Sequence, residues 1–98
     1  MQTRLIVSFD PDIASAFLAA TGTPPRPSIL TTLSAGERDV GSLAAELQMA
    51  QSSLSQHLGK LKDANLVRSR RDSKRIIYSL SDRRILTMLW MLETMFPK

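Results

Sequence analysis

Two glutamines and three serines crowd into six positions, Gln51-Ser52-Ser53-Leu54-Ser55-Gln56, followed by His57 and Lys60. Neutral side chains that both donate and accept hydrogen bonds can read base edges without fixed charge, and glutamine, with its paired donor and acceptor, does so better than serine. Leu54, Leu58 and Leu61 recur at i, i+4 and i+7 through the same stretch, so residues 51–64 read as an amphipathic helix with an apolar stripe and a Ser/Gln face. Serine is a mediocre helix former, and three of them in this helix imply a use for the hydroxyls; an ordinary solvated surface is the plainer account. Just downstream, Arg68, Arg70, Arg71, Lys74 and Arg75 stand against one Asp72. Cations at that density neutralise phosphates.

The charge is one-sided. Residues 1–50 carry three arginines against five carboxylates, a net −2, and residues 51–98 carry ten Lys/Arg against four, a net +6, for +4 over the 98 residues. This asymmetry points to a polyanionic partner, nucleic acid before a membrane surface because no basic amphipathic helix accompanies it. A solvated charged hairpin without a partner explains the charge alone equally well. The chain has no cysteine and one histidine, which excludes disulfide scaffolds, cysteine zinc sites and thiol redox chemistry. No paired carboxylates, nucleophile–base pair or Gly-rich phosphate loop occurs, so an enzyme is not expected; a lone His57 without an orienting partner reads as structural or phosphate-contacting. The longest apolar run, Ile85 to Leu92, covers eight residues against the ~20 a membrane span needs. Leu5 to Phe9 is too short for a secretory signal, so a cytoplasmic protein without membrane insertion is expected.

The elements that position these residues follow from local signals. Asp10-Pro11-Asp12 starts a helix to Ala20 with Ile13, Phe17 and Leu18 on one side. Pro27 fits the first turn of a second helix presenting Ile29, Leu30 and Leu33, with Gly36 as a left-handed cap. Residues 42–48 form a third short helix with Leu43, Ala44 and Leu47, and a turn at Met49-Ala50 leads into the fourth. Strands at Leu66–Arg70 and Lys74–Leu80 make a hairpin, with Ile76, Tyr78 and Leu80 inward and Arg75, Ile77 and Ser79 outward. After Asp82, a possible cap, a last helix spans 83–96, apolar almost all round. A 98-residue chain has little to cover such a helix, so a second copy is the natural cover: a homodimer through this helix with help from the first. The five Met and Trp90 read as core or dimer interface, with a pocket for an apolar ligand as the alternative. The fold class is thus mostly α with a small β-hairpin, a single domain over 1–98 in the order α-α-α-α-β-β-α. Within it, 1–9 form an N-terminal extension, 42–64 a helix-turn-helix, 66–80 a wing and 82–96 a dimerisation helix.

Val40-Gly41-Ser42-Leu43-Ala44-Ala45-Glu46-Leu47, the run Ser52 to Val67 and Arg75-Ile76-Ile77-Tyr78-Ser79-Leu80 together resemble the ArsR/SmtB family of bacterial repressors across about residues 10–96. The resemblance implies a homodimeric winged helix-turn-helix transcriptional regulator on double-stranded DNA. Its operator would be pseudo-palindromic, with the 51–64 helix in the major groove and the wing on flanking backbone. The DNA-binding set expected is Gln51, Ser52, Ser53, Ser55, Gln56, His57 and Lys60 from the helix, Arg70, Arg71, Lys74 and Arg75 from the wing, and Arg26. A winged-helix protein-interaction module without sequence-specific DNA binding is the alternative. Four positions depart from the family pattern: Ala50 where a Ser-like cap is usual, Asn65 and Ser73 where glycine is common, and Pro27. The family's metal sites are also altered. Asp39 and Gly41 stand at the cysteine positions, and Asp82 is joined by Arg84, Met95 and Lys98 at the spacing of the second site, a set unable to hold zinc. No cofactor and no metal are expected, and an unidentified small-molecule or protein effector stays open.

Overall fold

The computed structural model describes residues 8–98; most of the expected N-terminal extension, residues 1–7, lies outside them. Helix α1 (Pro11–Thr21) opens as its sequence demands, with the Asp10 carboxylate accepting from the backbone N–H groups of Asp12 and Ile13 (2.9 and 3.1 Å). Helix α2 (Pro25–Ser34) buries Ile29, Leu30 and Leu33. It closes through Ala35 in a right-handed conformation; Gly36 follows at φ 148°, positive but outside the compact left-handed region expected for it.

Helix α3 (Val40–Leu47) is held by Asp39, whose carboxylate accepts from the Ser42 hydroxyl (2.6 Å) and backbone N–H (3.2 Å). These two bonds, the hydroxyl's first, keep the Asp39 carboxyl below the ordinary carboxylate range. The cap is therefore complete at neutral pH and lost only under acid, as pH falls through that lowered value. Gln48, at φ 54°, turns the chain out of α3 while the Met49 N–H bonds the Ala44 carbonyl. Helix α4 (Gln51–Asp63) follows, with Leu54, Leu58 and Leu61 fully buried and Ala50 giving no side-chain cap. It ends as Asn65 takes up a left-handed conformation, φ 61°, which asparagine tolerates better than other non-glycine residues.

Strands β2 (Val67–Asp72) and β3 (Arg75–Leu80) form the hairpin. A third strand absent from the sequence reading, β1 (Arg38–Asp39), pairs antiparallel with β3, giving the order β1-β3-β2. The expected facing in β3 is corrected in part. Ile77, flanked by Asp39 and Arg70 in the ladders, is buried, whereas Ile76, paired only with Arg71 beyond the end of β1, is 46% exposed. Tyr78 and Leu80 do pack on the core. At the hairpin tip only the first central residue, Ser73, has positive φ (59°), the mark of a type II′ turn that favours glycine there. Ser73→Gly is expected to raise stability by about 1 kcal/mol, read as a higher urea midpoint at unchanged m-value.

Helix α5 (Arg84–Met95) starts one residue later than expected. Asp82 still holds its first turn, accepting from the Arg84 backbone N–H (2.8 Å) and guanidinium (2.6 Å). The core gathers α2, α3, α4, the start of β2 and Ile85 and Met88 of α5, with Phe17 of α1 packed against it. Ile13 and Leu18, expected on one side of α1 with Phe17, are exposed. So are Phe9, Trp90, Met91, Met95 and Phe96, all on or beside α1 and α5.

Candidate nucleic-acid interface

The three buried leucines turn the opposite side of α4 to solvent, where Gln51, Ser52, Ser53, Ser55, Gln56, Gly59 and Lys60 are all exposed. At 100° per residue Ser52, Gln56 and Gly59 lie nearly opposite the leucine stripe. A Cβ at Gly59 would meet nothing within 4 Å, so a stretch of backbone lies open there.

The wing flanks this face on one side. Lys62 donates to the Ser69 hydroxyl (2.8 Å), tying α4 to β2. Nearer the start of α4, a shallow cleft of about 360 Å³ lies between Gln51 and Ser55, the wing residues Lys74, Arg75 and Ile76, and the Asp39–Gly41 segment. The expected wing residues Arg70, Arg71, Lys74 and Arg75 are exposed. Their engagements differ: Arg70 donates to Glu37 (2.6 Å), Arg75 reaches Asp72 (3.3 Å) and Arg71 donates to the Ser73 carbonyl (3.2 Å). The bond to Glu37 and its charge raise the affinity of Arg70 for its proton. Exposed ion pairs of this kind contribute little to stability, so both arginines can exchange carboxylate for phosphate at small cost.

On the other side of α4 the expected residues Arg26 and His57 meet each other. Arg26 is half-buried in the first turn of α2. Its Nε donates to His57 Nδ1 (3.2 Å) and its Nη1 to the Ala20 carbonyl in the last turn of α1 (3.0 Å). The structure therefore places two expected DNA contacts in a junction of three helices rather than on the open face. Sequence reasoning missed Glu37 and Lys62, which fix the wing. Glu37 lies 33 residues from Arg70, and no local spacing announces such a partner.

Among the described residues no group of three or more His, Asp or Glu is gathered as a metal site. Asp82, the one acid retained at the family's second site, is occupied by Arg84; that guanidinium, then the Arg84 backbone N–H, holds its carboxyl below the ordinary range. A groove of about 960 Å³ between α2 and α5 is lined by Leu47, Leu86, Leu89, Trp90 and Phe96. Of the methionines, Met88 lies in the core, Met49 packs against it and Met91 and Met95 are exposed, so the described methionines line no such pocket.

A helix-turn-helix followed by a cationic hairpin can be compared with known proteins. Residues 23–69 match the model of the bacterial regulatory protein arsR family. The nodulation protein NolR of Rhizobium meliloti is 44% identical over 87 residues, 89% of this chain and 71% of that protein. The chain belongs to the ArsR family. Another relative, the transcriptional activator HlyU of Vibrio cholerae, is 34% identical over 85% of this chain and 77% of its own length. The crystal structure of NolR from Sinorhizobium fredii superposes with a TM-score of 0.81 at 38% identity, covering 93% of this chain and 97% of that one. The transcriptional repressor BigR from Xylella fastidiosa superposes at 0.83 and 31% identity over 89% of each. ArsR membership makes the protein a winged helix-turn-helix transcriptional regulator and not an enzyme. Among the described residues no helix is long and apolar enough to cross a membrane.

Proposed function

We propose that this ArsR-family chain is a cytoplasmic homodimeric repressor that binds a pseudo-palindromic operator, with α4 in the major groove and the wing on the flanking backbone. One observation carries the reading: an exposed, uncharged Ser/Gln face on a helix whose other side is locked into the core, with exposed cations beside it on the hairpin. Gln56 and Ser52 are the base readers, assisted by Gln51, Ser53 and Ser55. Arg71 and Lys74 at the tip of the wing, with Arg70, Arg75 and Lys60, contact phosphates. The missing side-chain cap at Ala50 suits this role, because a DNA phosphate supplies acceptors for the first N–H groups of α4.

Self-association rests on α1 and α5. Trp90 is 63% exposed, Phe96 70% and Ile13 70%, with Leu18, Met91 and Met95 beside them in the chain. Large apolar side chains left exposed in this number on a small regulator mark a protein interface, and a two-fold dimer places two α4 helices on successive major-groove faces, half-sites about one helical turn apart. Occupation of an operator by such a dimer blocks a promoter sterically, so repression needs no further surface. The HlyU and BigR relatives carry both signs of control in their names, activator and repressor.

The test is binding to DNA from around the chain's own operon, and to sequences selected from a random pool, across a salt series. Salt-dependent binding with a selected two-fold motif is expected. A stable dimer that binds no DNA at low salt overturns the reading.

A further inference from the structure

Arg26 and His57 lie 31 positions apart, on α2 and on the helix that carries the Ser/Gln face, yet they share a hydrogen bond in which the imidazole is the acceptor. An arginine side chain has only donors. His57 Nδ1 must therefore hold its lone pair toward Arg26, which places the proton of the neutral ring on Nε2. The same guanidinium caps the end of α1 through the Ala20 carbonyl, where a cation also suits the helix dipole. One side chain thus joins the end of α1, the first turn of α2 and the side of α4.

We propose that Arg26 is a positioning residue: it fixes the rotation of α4 about its own axis through neutral His57, and protonation of His57 releases this strut and weakens DNA binding. Protonated imidazole has donors on both nitrogens, so the acceptor vanishes and two cations face each other. The surroundings offer no compensation. On α4 the neighbouring charge is Lys60, one turn on; α2 contributes Arg26; the only acid on α1 is Asp12, at the opposite end of that helix. On α3, Glu46 is paired with Arg38, and the charges of β2 are on the wing side, past Lys62 and Ser69. Among the described residues no carboxylate lies within 4.0 Å of His57.

The sign separates this from a phosphate contact. A histidine touching DNA phosphate binds more tightly when protonated, whereas a histidine bracing α4 as an acceptor binds less tightly. The proposal rests on the DNA-binding reading, so two measurements keep their failures apart. The first needs no DNA. With a single histidine, imidazole nitrogen NMR is unambiguous: at pH 8 the Nε2–H tautomer with a hydrogen-bonded Nδ1 is expected, and Arg26→Met, which keeps an apolar stem but no donor, should shift Nδ1 toward its free value. A ring protonated on Nδ1, or one indifferent to Arg26→Met in a folded variant, overturns the strut whatever the chain does with DNA. The second is operator affinity by fluorescence anisotropy from pH 8 to 5.5, for wild type and His57→Gln. Wild-type affinity should fall about three- to tenfold, the scale of one ordinary hydrogen bond lost at a half-buried site. His57→Gln, which keeps an acceptor oxygen and does not titrate, should remove that fall. An affinity that rises on acidification in wild type only, or profiles that coincide in the two proteins, overturns the proposal.

Discussion

Trp90→Asp is expected to turn the dimer into a monomer and to weaken operator binding about a hundred- to ten-thousandfold. Trp90 stands 63% exposed on α5, on the rim of the apolar groove between α2 and α5, and the buried residues of that helix are Ile85 and Met88. The substitution therefore leaves the core of one protomer alone, and helix content should not change. A carboxylate at the centre of an apolar interface has no partner to neutralise it and must shed water to be buried, which the association cannot offset. The loss on DNA follows from geometry rather than from any lost contact: once one α4 is seated, its partner binds intramolecularly, and separating the protomers removes that effective concentration. Sedimentation velocity checks the first half and anisotropy on a two-half-site duplex the second. Because Trp90 is the only tryptophan in the chain, its emission also reports the interface directly and should shift to the red on dilution of the wild type. A Trp90→Asp protein that sediments as a dimer at micromolar concentration overturns the assignment of α5 as the interface.

The parts of this fold that are legible in the sequence are those specified within one turn or one stripe. Leu54, Leu58 and Leu61 place α4 because a 3.6-residue period has only one way to bury three leucines. Asp10 ahead of Pro11 fixes the start of α1 through bonds two and three residues away. Asn65 ends α4 by its own backbone tolerance. What escaped is non-local. Strand β1 is two residues long and exists because β3 offers it an edge; Arg38 and Asp39 carry no strand signal of their own. The facing of Ile76 and Ile77 departs from the alternation because alternation assumes one covered face, whereas β3 is the central strand and is flanked on both sides at residue 77 but not at 76. Ile13 and Leu18 have helical spacing with Phe17, but spacing alone does not say whether the cover comes from the same chain. Arg26 reads in the sequence as a DNA contact, and only the packing of α2 beside α4 brings it to His57.

Arg71→Ala and Gln56→Ala should weaken DNA binding in different ways, and the difference tests which surface supplies affinity and which supplies sequence. Arg71 is exposed on β2 next to the hairpin tip, and its bond in the free protein is to the nearby Ser73 carbonyl. As a phosphate contact it acts alike on every sequence. Its removal should reduce affinity for operator and random duplex by the same factor and, with one Arg71 in each protomer, lower the slope of log K against log salt by about 1.8. Gln56 is exposed on α4, almost opposite the leucine stripe, and carries no charge. Its removal should leave the salt slope unchanged. Gln56→Ala should cost about 1–3 kcal/mol per half-site on the operator, through loss of the bidentate contact its amide allows, and almost nothing on random DNA, erasing the preference at one base pair in each half-site. Both slopes and both affinities come from one titration series on two duplexes. Equal losses on the two duplexes for both variants, with equal changes in slope, would mean that the Ser/Gln face reads no sequence and that the exposed surface of α4 is only another phosphate-binding patch.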